Sequence, residues 1–306
     1  MAGADRGVGV PKQLFGLSAA LTTPFTETLS VDLARMIAHA QDLLAEGCRS
    51  VTLFGTTGEG ASLTWRERIA VLDGFTAARF DPARLVAGIS STAAESAADQ
   101  AFAALDAGVA TLLVPPPFYF KGVSDDGVLA WYSALLERIG KRKPQVILYH
   151  IPQVTGVGLS LPLVRTLKDR YGALILGVKD SGGDWPTTHS FLGEADLSIL
   201  VGDERHLAAA IRLGGAGAIS GMANVFPGRL AKLVRTGQDD SWLNGIVDAV
   251  VELPVTPAIK ALVAVKRGET GWERVRAPLR PTPAADVERL SRLAGELGGK
   301  KVACAQ

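Results

Sequence analysis

Lys179 has the sequence surroundings of a lysine that acts as a nucleophile. It lies in the segment Leu176-Gly-Val-Lys-Asp180, whose apolar residues are expected to bury its alkyl stem. Burial disfavours the charged ammonium form, and a neutral amine is a usable nucleophile toward a carbonyl. The same burial is also typical of a structural lysine paired with Asp180 or Glu204, and position alone leaves both interpretations open.

Two further segments carry side chains suited to a carbonyl substrate. Gly55-Thr-Thr-Gly-Glu59 combines a tight turn, free backbone N–H groups and two hydroxyls, which suits a small carboxylate. An ordinary strand-to-helix turn has the same composition. Tyr149 ends an apolar segment, and beside Lys179 its phenol can move a proton to or from a carbonyl-derived oxygen. Tyr149 could equally be a structural aromatic residue whose hydroxyl makes a hydrogen bond in the core.

Short apolar segments alternate with longer amphipathic ones along the chain, which predicts parallel strands joined by helices. The strand candidates are residues 17–21, 50–54, 85–89, 110–114, 146–150, 175–179, 198–201 and 217–220. The helix candidates include residues 33–46, 65–80, 93–107, 126–139, 161–171, 206–213 and 227–235. Gly47, Gly108 and Gly214 mark helix ends, and Thr64 with Glu67 predicts a capping box.

Eight such units within about 235 residues have the usual size of a (β/α)8 TIM barrel. An open doubly wound sheet needs a glycine fingerprint after its first strand, and Leu21-Thr-Thr-Pro-Phe25 is not one. We therefore predict an α/β fold in which residues 1–238 form the barrel. Residues 239–306 are predicted to be a C-terminal helical appendage packed on it. Barrel enzymes carry their sites at the C-terminal strand ends, where Lys179, Tyr149 and the 55–59 segment all fall.

Composition excludes several functional classes. The 306 residues are 47% hydrophobic and carry 32 basic against 31 acidic side chains, which excludes disorder and gives no basic surface for nucleic acid. No apolar run has membrane-spanning length, and the N-terminus resembles no signal peptide, so we expect a cytoplasmic protein. Cys48 and Cys304 are expected to be inert thiols, and neither forms part of a metal signature.

Three ordered motifs resemble those of the dihydrodipicolinate synthase / N-acetylneuraminate lyase family. They are Gly55-Thr-Thr-Gly-Glu59, Leu148-Tyr-His-Ile-Pro152 and Gly177-Val-Lys-Asp-Ser181. The resemblance runs from about residue 17 to about residue 265. It also includes Gly202-Asp-Glu204, Ala218-Ile-Ser220 and Pro257-Ala-Ile-Lys260. One Gly-Thr-Thr-Gly motif would be weak evidence, whereas three in order on the expected strands are specific.

The resemblance implies a class I, metal-independent Schiff-base enzyme that acts on pyruvate or another 2-oxo acid without a cofactor. By this resemblance Lys179 forms the imine and Tyr149 is the general acid/base. Thr56 joins its hydroxyl to that of Tyr149. Thr57 and the backbone of Gly58 hold the carboxylate of the 2-oxo acid.

The resemblance also implies further site residues and an assembly. Ser181, Asp203 and Ile219 are expected at the substrate site. Asp203 and Glu204 resemble the acidic pair with which sialic acid lyases hold a polyol tail. Tyr119 matches a tyrosine that related enzymes insert across a subunit interface, which implies a homo-oligomer, commonly a dimer of dimers.

One departure from the family pattern bears on the second substrate. Dihydrodipicolinate synthases usually continue the tyrosine motif as Pro-Ser-Arg-Thr-Gly, with an arginine that binds the aldehyde carboxylate, whereas this chain has Pro152-Gln-Val-Thr-Gly156. Val154 cannot make that contact. His150 and Phe120 stand where asparagine is common, which indicates a different electrophile pocket.

These features predict an aldolase or dehydratase of a 2-oxo acid. The first alternative is 4-hydroxy-tetrahydrodipicolinate synthase, which condenses pyruvate with aspartate semialdehyde. The second alternative is a non-catalytic sugar-acid sensor on the same barrel.

Overall fold

Eight parallel strands form a closed barrel in which each strand pairs with its neighbours in chain order and β8 pairs with β1. The computed structural model describes residues 14–295. The strands are β1 Gly16–Ala20, β2 Ser50–Leu53, β3 Leu85–Gly88, β4 Thr111–Val114, β5 Gln145–His150, β6 Ile175–Asp180, β7 Ser198–Val201 and β8 Gly217–Ser220. The TIM barrel expected from the alternating pattern is therefore confirmed.

Twelve α-helices lie within residues 14–295. They are α1 Leu33–Ala45, α2 Trp65–Ala77, α3 Ala94–Asp106, α4 Asp125–Ile139, α5 Pro152–Thr155, α6 Leu161–Tyr171, α7 Trp185–Leu192, α8 Glu204–Arg212, α9 Pro227–Thr236, α10 Ser241–Val251, α11 Val255–Arg267 and α12 Ala284–Leu293. Helices therefore follow every strand, as crossover connections between parallel strands require.

The local end signals act as expected. Gly47, Gly108 and Gly214 have φ angles of 115°, 82° and 87°, in the region that favours glycine after a helix. Thr64 accepts a hydrogen bond from the Glu67 backbone N–H, and the Glu67 side chain accepts one from the Thr64 backbone N–H, so the predicted capping box is present. These contacts satisfy polar groups that a helix terminus leaves unpaired.

The pattern gave no signal for α7, which lies between β6 and β7. This helix has only eight residues, Trp185–Leu192, and its first turn holds a proline and two threonines with low helix propensity. Asp184 stabilises its start, since the carboxylate accepts from the Thr187 backbone N–H. Packing on the barrel therefore stabilises α7, although the helix propensity of its residues is low.

Two apolar clusters form the core. The larger one lies between the barrel and the surrounding helices. A smaller one comes chiefly from the strands, and its buried members are Ala20, Val86, Leu113, Ile147, Tyr149, Ile151, Leu200, Ala216 and Ile219. Tyr149 and Ile219, both predicted site residues, belong to this smaller cluster and are packed among strand residues.

Asn224, shortly after β8, joins the last strand to the first. Its Nδ2 atom donates to the carbonyl of Ala20, at the end of β1, over 2.8 Å. Its Oδ1 atom accepts from the backbone N–H of Thr22 at 3.1 Å and faces His39 Nε2 at 3.2 Å. Because Asn224 is fully buried, these bonds form in a low dielectric, and they add to the β1–β8 pairing that closes the barrel.

The C-terminal helices α10, α11 and α12 pack against one another and on the barrel. The middle of α11 is buried on all sides, at Thr256, Pro257, Ala258, Ile259, Lys260, Ala261, Leu262 and Val263. A helix buried all round belongs to the interior of a fold. The expected C-terminal helical appendage is thus present, and a domain boundary at residue 238 stays a prediction.

Other sequence expectations concern single features. Between residues 14 and 295 no helix is both long and apolar enough to cross a bilayer. Cys48 is buried, and burial raises the pKa of its thiol to about 12, as expected for an inert cysteine. Cys304 and the N-terminal residues that resemble no signal peptide lie outside the described residues.

Candidate active site

A cavity of about 450 Å³ opens at the C-terminal ends of the strands. Its lining combines residues of five strand ends with one face of the C-terminal helices. The predicted site residues among its lining are Lys179, Tyr149, Thr56, Thr57, Ser181, Asp203 and Ile219. This volume suits a small organic acid together with a second small molecule.

Lys179 and Tyr149 are direct neighbours across β5 and β6, where the strand register pairs them. The Lys179 Nζ atom lies 4.2 Å from the centroid of the Tyr149 ring, and Lys179 is only 4% exposed. Among residues 14–295, Lys179 pairs with no carboxylate. The interpretation of Lys179 as a buried ion-pair lysine is therefore not supported.

The two carboxylates considered as partners for Lys179 are bound elsewhere. Asp180 accepts from the Thr188 hydroxyl at 2.6 Å and from the Gly182 backbone N–H at 2.9 Å. Glu204 accepts from the Ser220 hydroxyl at 2.5 Å. Burial raises the pKa of Glu204, and the Ser220 hydrogen bond opposes that shift.

The Thr56 hydroxyl lies 3.3 Å from the Tyr149 hydroxyl, at hydrogen-bond distance. This contact connects the loop after β2 to the end of β5 and orients the phenol toward the cavity shared with Lys179. A phenol with one hydroxyl partner and a neighbouring amine is suited to receive and return a proton.

Thr57 lines the cavity, whereas Gly58 is buried behind it. The Gly58 carbonyl accepts from the Thr23 hydroxyl at 2.6 Å. A Cβ atom on Gly58 would lie 2.6 Å from the carbonyl oxygen of Leu21, so only glycine fits at this close approach. Thr57 is thus exposed to the cavity and Gly58 sets the path of the backbone beneath it, and their role in binding a carboxylate stays a prediction.

On the β7 side of the cavity, Asp203 is engaged by a neighbouring arginine. Arg205 Nε and Nη2 donate to the two carboxylate oxygens of Asp203 at 2.9 and 2.6 Å, and Arg205 Nη1 donates to Asp248 at 3.0 Å. Burial works to raise the pKa of Asp203, but its bonds to Arg205 prevail and the pKa lies below its usual value. This Arg205 pair was not foreseen, because Arg205 belongs to no motif of the sequence.

Tyr119 does not line the cavity of its own chain. It is 74% exposed, and the next residue, Phe120, is 73% exposed. Their rings make an edge-to-face contact with centroids 5.3 Å apart. Two adjacent exposed aromatic rings of this kind are unusual on a surface that faces only water.

A second cavity, of about 510 Å³, adjoins the first. The lining residues that the two share are Thr56, Tyr149, Ile151, Val154, Val255 and Thr256. Most of the other lining of the second cavity is apolar, including Phe54, Ile89, Leu113, Pro115, Phe118, Pro254, Pro257, Pro278 and Leu279. The Thr56–Tyr149 pair thus lies where a cavity of mixed polar and apolar lining meets a more apolar one.

Val154 lies at the rim of both cavities and is 58% exposed. The nearby loop cation, Lys121, donates to the carbonyls of Phe118 and Thr155, the latter at 2.7 Å. Its ammonium group is therefore committed to backbone oxygens next to the Val154 loop. The basic side chains that line the first cavity are Lys179, the proposed nucleophile, and Arg205, which is paired with Asp203 and Asp248, so neither takes the place of the absent arginine.

His150 is not among the lining residues of the first cavity, although it lies behind Gly182, which is, and its effect on the electrophile pocket stays a prediction. Its side chain packs edge-on against Phe191, and its Nδ1 atom accepts from the Leu159 backbone N–H at 2.9 Å. Burial lowers the pKa of His150, while Asp180 and Asp184 oppose the shift. Phe120 likewise lies away from both cavities of its own chain.

Within residues 14–295 there is no cluster of three or more His, Cys, Asp or Glu side chains placed to hold a metal ion. The cavity also holds an amine, a phenol and several hydroxyls, beside the paired Asp203 and Arg205. These groups are suited to covalent addition to a carbonyl and to proton transfer.

Comparisons with known proteins agree with this geometry. Residues 13–292 match the model of the dihydrodipicolinate synthetase family. The chain belongs to this family. It is 33% identical over 285 residues to a DapA-like lyase of Chloroflexus aurantiacus, a match that covers 90% of this chain and 94% of that protein. It is also 33% identical over 281 residues to a 4-hydroxy-tetrahydrodipicolinate synthase of Chlamydia trachomatis, covering 90% and 92%.

A solved structure gives the same result. Dihydrodipicolinate synthase from Agrobacterium tumefaciens superposes with a TM-score of 0.90 at 48% identity, covering 91% of this chain and 98% of that one. As a member of the dihydrodipicolinate synthetase family, the chain is a Schiff-base lyase on a TIM barrel.

Proposed function

We propose that this enzyme forms an imine between Lys179 and pyruvate or a closely related 2-oxo acid, and that it makes or breaks a bond at C3 of that acid. The observation that carries this proposal is the Lys179 amine, buried at the end of β6 without a carboxylate partner among the described residues and 4.2 Å from the Tyr149 ring. Membership of a Schiff-base lyase family supports it.

The Lys179 amine adds to the C2 carbonyl, which forms a C–N bond and turns the carbonyl oxygen into a hydroxyl. That hydroxyl leaves as water with a proton delivered through the Tyr149 phenol, and the imine remains. The Tyr149 phenolate, which has given its proton to the departing water, takes a proton from C3 and leaves the enamine. In the synthetic direction C3 of the enamine attacks the carbonyl of the second substrate, and the new alkoxide takes the proton back from Tyr149. In the cleavage direction the same steps run in reverse. Hydrolysis of the final imine reverses the first steps and frees Lys179.

The carboxylate of the 2-oxo acid binds at the Thr57 hydroxyl in this proposal. Thr57 lines the cavity on the same side as Thr56, and the backbone beneath it is fixed at Gly58. Ser181 and Ile219 line the same cavity and bound the space left for the acid. Hydroxyl and backbone N–H donors are suited to a small carboxylate.

The second substrate is proposed to lack a carboxylate at the end that reaches Val154. The cations near that end are engaged, since Arg205 binds Asp203 and Asp248, and Lys121 binds backbone carbonyls. An anionic group placed there would lose its hydration without gaining a charge-assisted hydrogen bond. This favours an aldolase or dehydratase with an uncharged or hydroxylated second substrate.

The second candidate is 4-hydroxy-tetrahydrodipicolinate synthase, and the names of two similar proteins favour it. The Chlamydia trachomatis relative carries that name, and the Agrobacterium tumefaciens structure is a dihydrodipicolinate synthase at 48% identity. Val154 opposes this candidate, because it replaces the arginine expected to bind the aldehyde carboxylate.

We further propose that the enzyme works as a homo-oligomer, a dimer of dimers, in which Tyr119 of one copy approaches the Thr56–Tyr149 pair of another. The exposed Tyr119 and Phe120 rings and the apolar cavity beside Thr56 support this arrangement. Burial of two aromatic side chains in an apolar cavity is a typical anchor between subunits. A cytoplasmic location stays a prediction.

Reductive trapping tests the proposed function. The protein is incubated with pyruvate and borohydride, and intact mass followed by peptide mapping locates the added mass. We expect modification at Lys179 in the parent and none in Lys179→Arg, because a guanidinium stays protonated and forms no imine. Lys232→Arg, at an exposed lysine, is the matched control and should still be trapped.

A parent that binds pyruvate without being trapped would instead be a sensor. Trapping of Lys179→Arg would exclude Lys179 as the nucleophile.

A further inference from the structure

Lys260, on α11, is a fully buried lysine that lies outside both cavities. Its side chain is 0% exposed, and its ammonium group donates to Glu59 Oε1 at 2.6 Å and to the Thr23 carbonyl at 2.9 Å. The Phe25 ring centroid lies 4.3 Å from the Nζ atom. Burial lowers the pKa of Lys260, and the adjacent Glu59 carboxylate opposes that shift.

Glu59 closes the Gly55–Glu59 loop in a conformation that is uncommon for a residue with a side chain. Its φ angle is 53°, in the left-handed region, and its side chain is 0% exposed. The second carboxylate oxygen accepts from the Arg276 backbone N–H at 2.9 Å. Such a conformation persists only where the surrounding contacts enforce it. Lys260 and Arg276, both from the C-terminal part of the chain, supply those contacts.

The same contacts continue to the carboxylate cradle. Lys260 binds the Thr23 carbonyl, and the Thr23 hydroxyl in turn donates to the Gly58 carbonyl at 2.6 Å. One turn earlier on α11, the Thr256 hydroxyl lies 3.4 Å from the Thr56 carbonyl. The backbone around Thr57 is therefore held on one side by Thr23 and on the other by α11.

Stability alone is a poor explanation for this pair. Two charges taken out of water lose hydration, and replacing such a pair by apolar residues of similar size is often neutral or stabilising. A buried pair is valuable where a particular geometry has to be enforced. Here the geometry is that of the loop between Thr56 and Glu59.

We propose that Lys260 and Glu59 are positioning residues for 2-oxo acid binding. Their ion pair fixes the turn at Gly58 so that the Thr57 hydroxyl and the neighbouring backbone N–H groups meet the carboxylate of the acid. This inference rests on the proposed function, since it assumes that a 2-oxo acid binds at Thr57. It gives the buried side of α11 a role in substrate binding, in addition to the face of α11 that lines the cavity, although Lys260 lies 201 residues after Glu59.

The test separates binding of pyruvate from chemistry. Initial rates of borohydride trapping are measured over a range of pyruvate concentrations for the parent, Lys260→Met, Glu59→Gln and the double variant. The double variant leaves no unpaired buried charge and is the decisive one. We expect its half-saturating pyruvate concentration to rise about tenfold or more, while its rate at saturation stays within about threefold of the parent.

A matched control comes from the same helix. Lys266 of α11 pairs with Glu46 at 2.8 Å on the outer side of the molecule, and both side chains are partly exposed. Lys266→Met removes an ion pair of α11 without touching the loop, so half-saturation by pyruvate should match the parent. Circular dichroism and thermal unfolding establish that each variant is folded.

The outcomes distinguish the two proposals. If the parent is trapped and the folded double variant has unchanged half-saturation, the inference is wrong and the proposed function stands. If the saturating rate falls without a change in half-saturation, the positioning role is also wrong. If the parent itself is not trapped, the proposed function fails and this inference fails with it. If the double variant does not fold, Glu59→Asp is measured instead. A raised half-saturating pyruvate concentration in Glu59→Asp then supports the inference, and an unchanged one overturns it.

Discussion

The Lys179 amine lies 4.2 Å from the centroid of the Tyr149 ring, on the neighbouring strand. The parallel register pairs the two residues at the same level, so their side chains lie on the same face of the sheet, and both line the cavity. The phenol beyond the ring reaches the Thr56 hydroxyl at 3.3 Å. The amine, the phenol and the threonine hydroxyl thus come from three strand ends that the barrel holds at fixed separations.

Replacing Tyr149 with Phe should separate binding from turnover. The ring that packs beside Lys179 remains, but the hydroxyl that moves the proton is lost, so kcat should fall by roughly 10²–10⁴. The Thr56 hydroxyl can form a hydrogen bond with water instead, so the free energy of unfolding should change little. The measurement is steady-state turnover together with pyruvate binding by calorimetry. Turnover within a few-fold of the parent would show that Tyr149 is not the general acid/base.

Tyr119 offers a test of the proposed assembly by subunit complementation. Tyr119→Phe lacks the relay hydroxyl, and Lys179→Arg lacks the nucleophile. In a mixed dimer, one site would combine Lys179 of one copy with Tyr119 of the other. Equal mixing makes half of the dimers mixed, and each mixed dimer has one complete site out of two. About a quarter of the parent activity should therefore return if each Tyr119 serves the site of its neighbour.

The control for complementation is each variant mixed with itself after the same dissociation and reassembly. Activity equal to the simple average of the two variants would mean that Tyr119 acts within its own chain or takes no part. Sedimentation measurements before and after mixing establish the oligomeric state.

His39 predicts an acid-dependent loss of stability. Burial, aided by the charge of Arg267, lowers the pKa of His39 from 6.5 to about 3, while the hydrogen bond to Asn224 opposes the shift. Arg267 Nη1 faces the Nδ1 atom at 3.1 Å, so the neutral ring carries its proton on Nε2, toward Asn224.

The sign follows from the two pKa values. Below pH 6.5 the unfolded chain takes up a proton on His39 that the folded protein does not, so the free energy of unfolding falls as the pH drops toward 3. The slope from this one group approaches about 1.4 kcal/mol per pH unit. Above pH 6.5 the contribution is constant.

Urea unfolding between pH 5 and 7.5 measures this effect. His39→Gln should be less stable at neutral pH because it loses a hydrogen bond, but its stability should depend less steeply on pH below 6.5. His189→Gln, at an exposed residue, is the control and should keep the parent slope. Equal slopes for the parent and His39→Gln would show that His39 is not the linked group.

Much of the fold and part of the proposed site follow from local patterns. Alternating apolar and amphipathic segments predict the eight strands, and barrel geometry then places Lys179 beside Tyr149, because neighbouring strands end at the same face. The composition of the Gly55–Glu59 segment predicts a tight turn, and the structure agrees, because Gly58 has no space for a Cβ atom. These features depend on residues that are close in the chain or on strand order.

The remaining features depend on contacts between distant side chains. Lys260 and Glu59 lie 201 residues apart in the sequence, and Arg205 and Asp248 lie 43 apart, so no local pattern shows either pair. Lys260 appears in the sequence only as part of Pro257-Ala-Ile-Lys260, where nothing indicates that it is buried against the loop after β2. Long-range ion pairs of this kind become visible only when the packing of α11 is known.

Val154→Arg tests the argument about the second substrate. The parent should form the pyruvate imine readily but condense it poorly with aspartate semialdehyde, because no free cation meets the aldehyde carboxylate near Val154. An arginine at this rim position should raise kcat/KM for the semialdehyde by about tenfold, the effect of one charge-assisted hydrogen bond of about 1.5 kcal/mol. Val154→Met is the control, since it adds length without charge and should leave kcat/KM near the parent value.

Trapping by pyruvate should be the same in all three proteins. Efficient condensation by the parent would mean that another group binds the carboxylate, with Lys121 the first candidate because it already contacts Thr155, and it would make 4-hydroxy-tetrahydrodipicolinate synthase the better assignment.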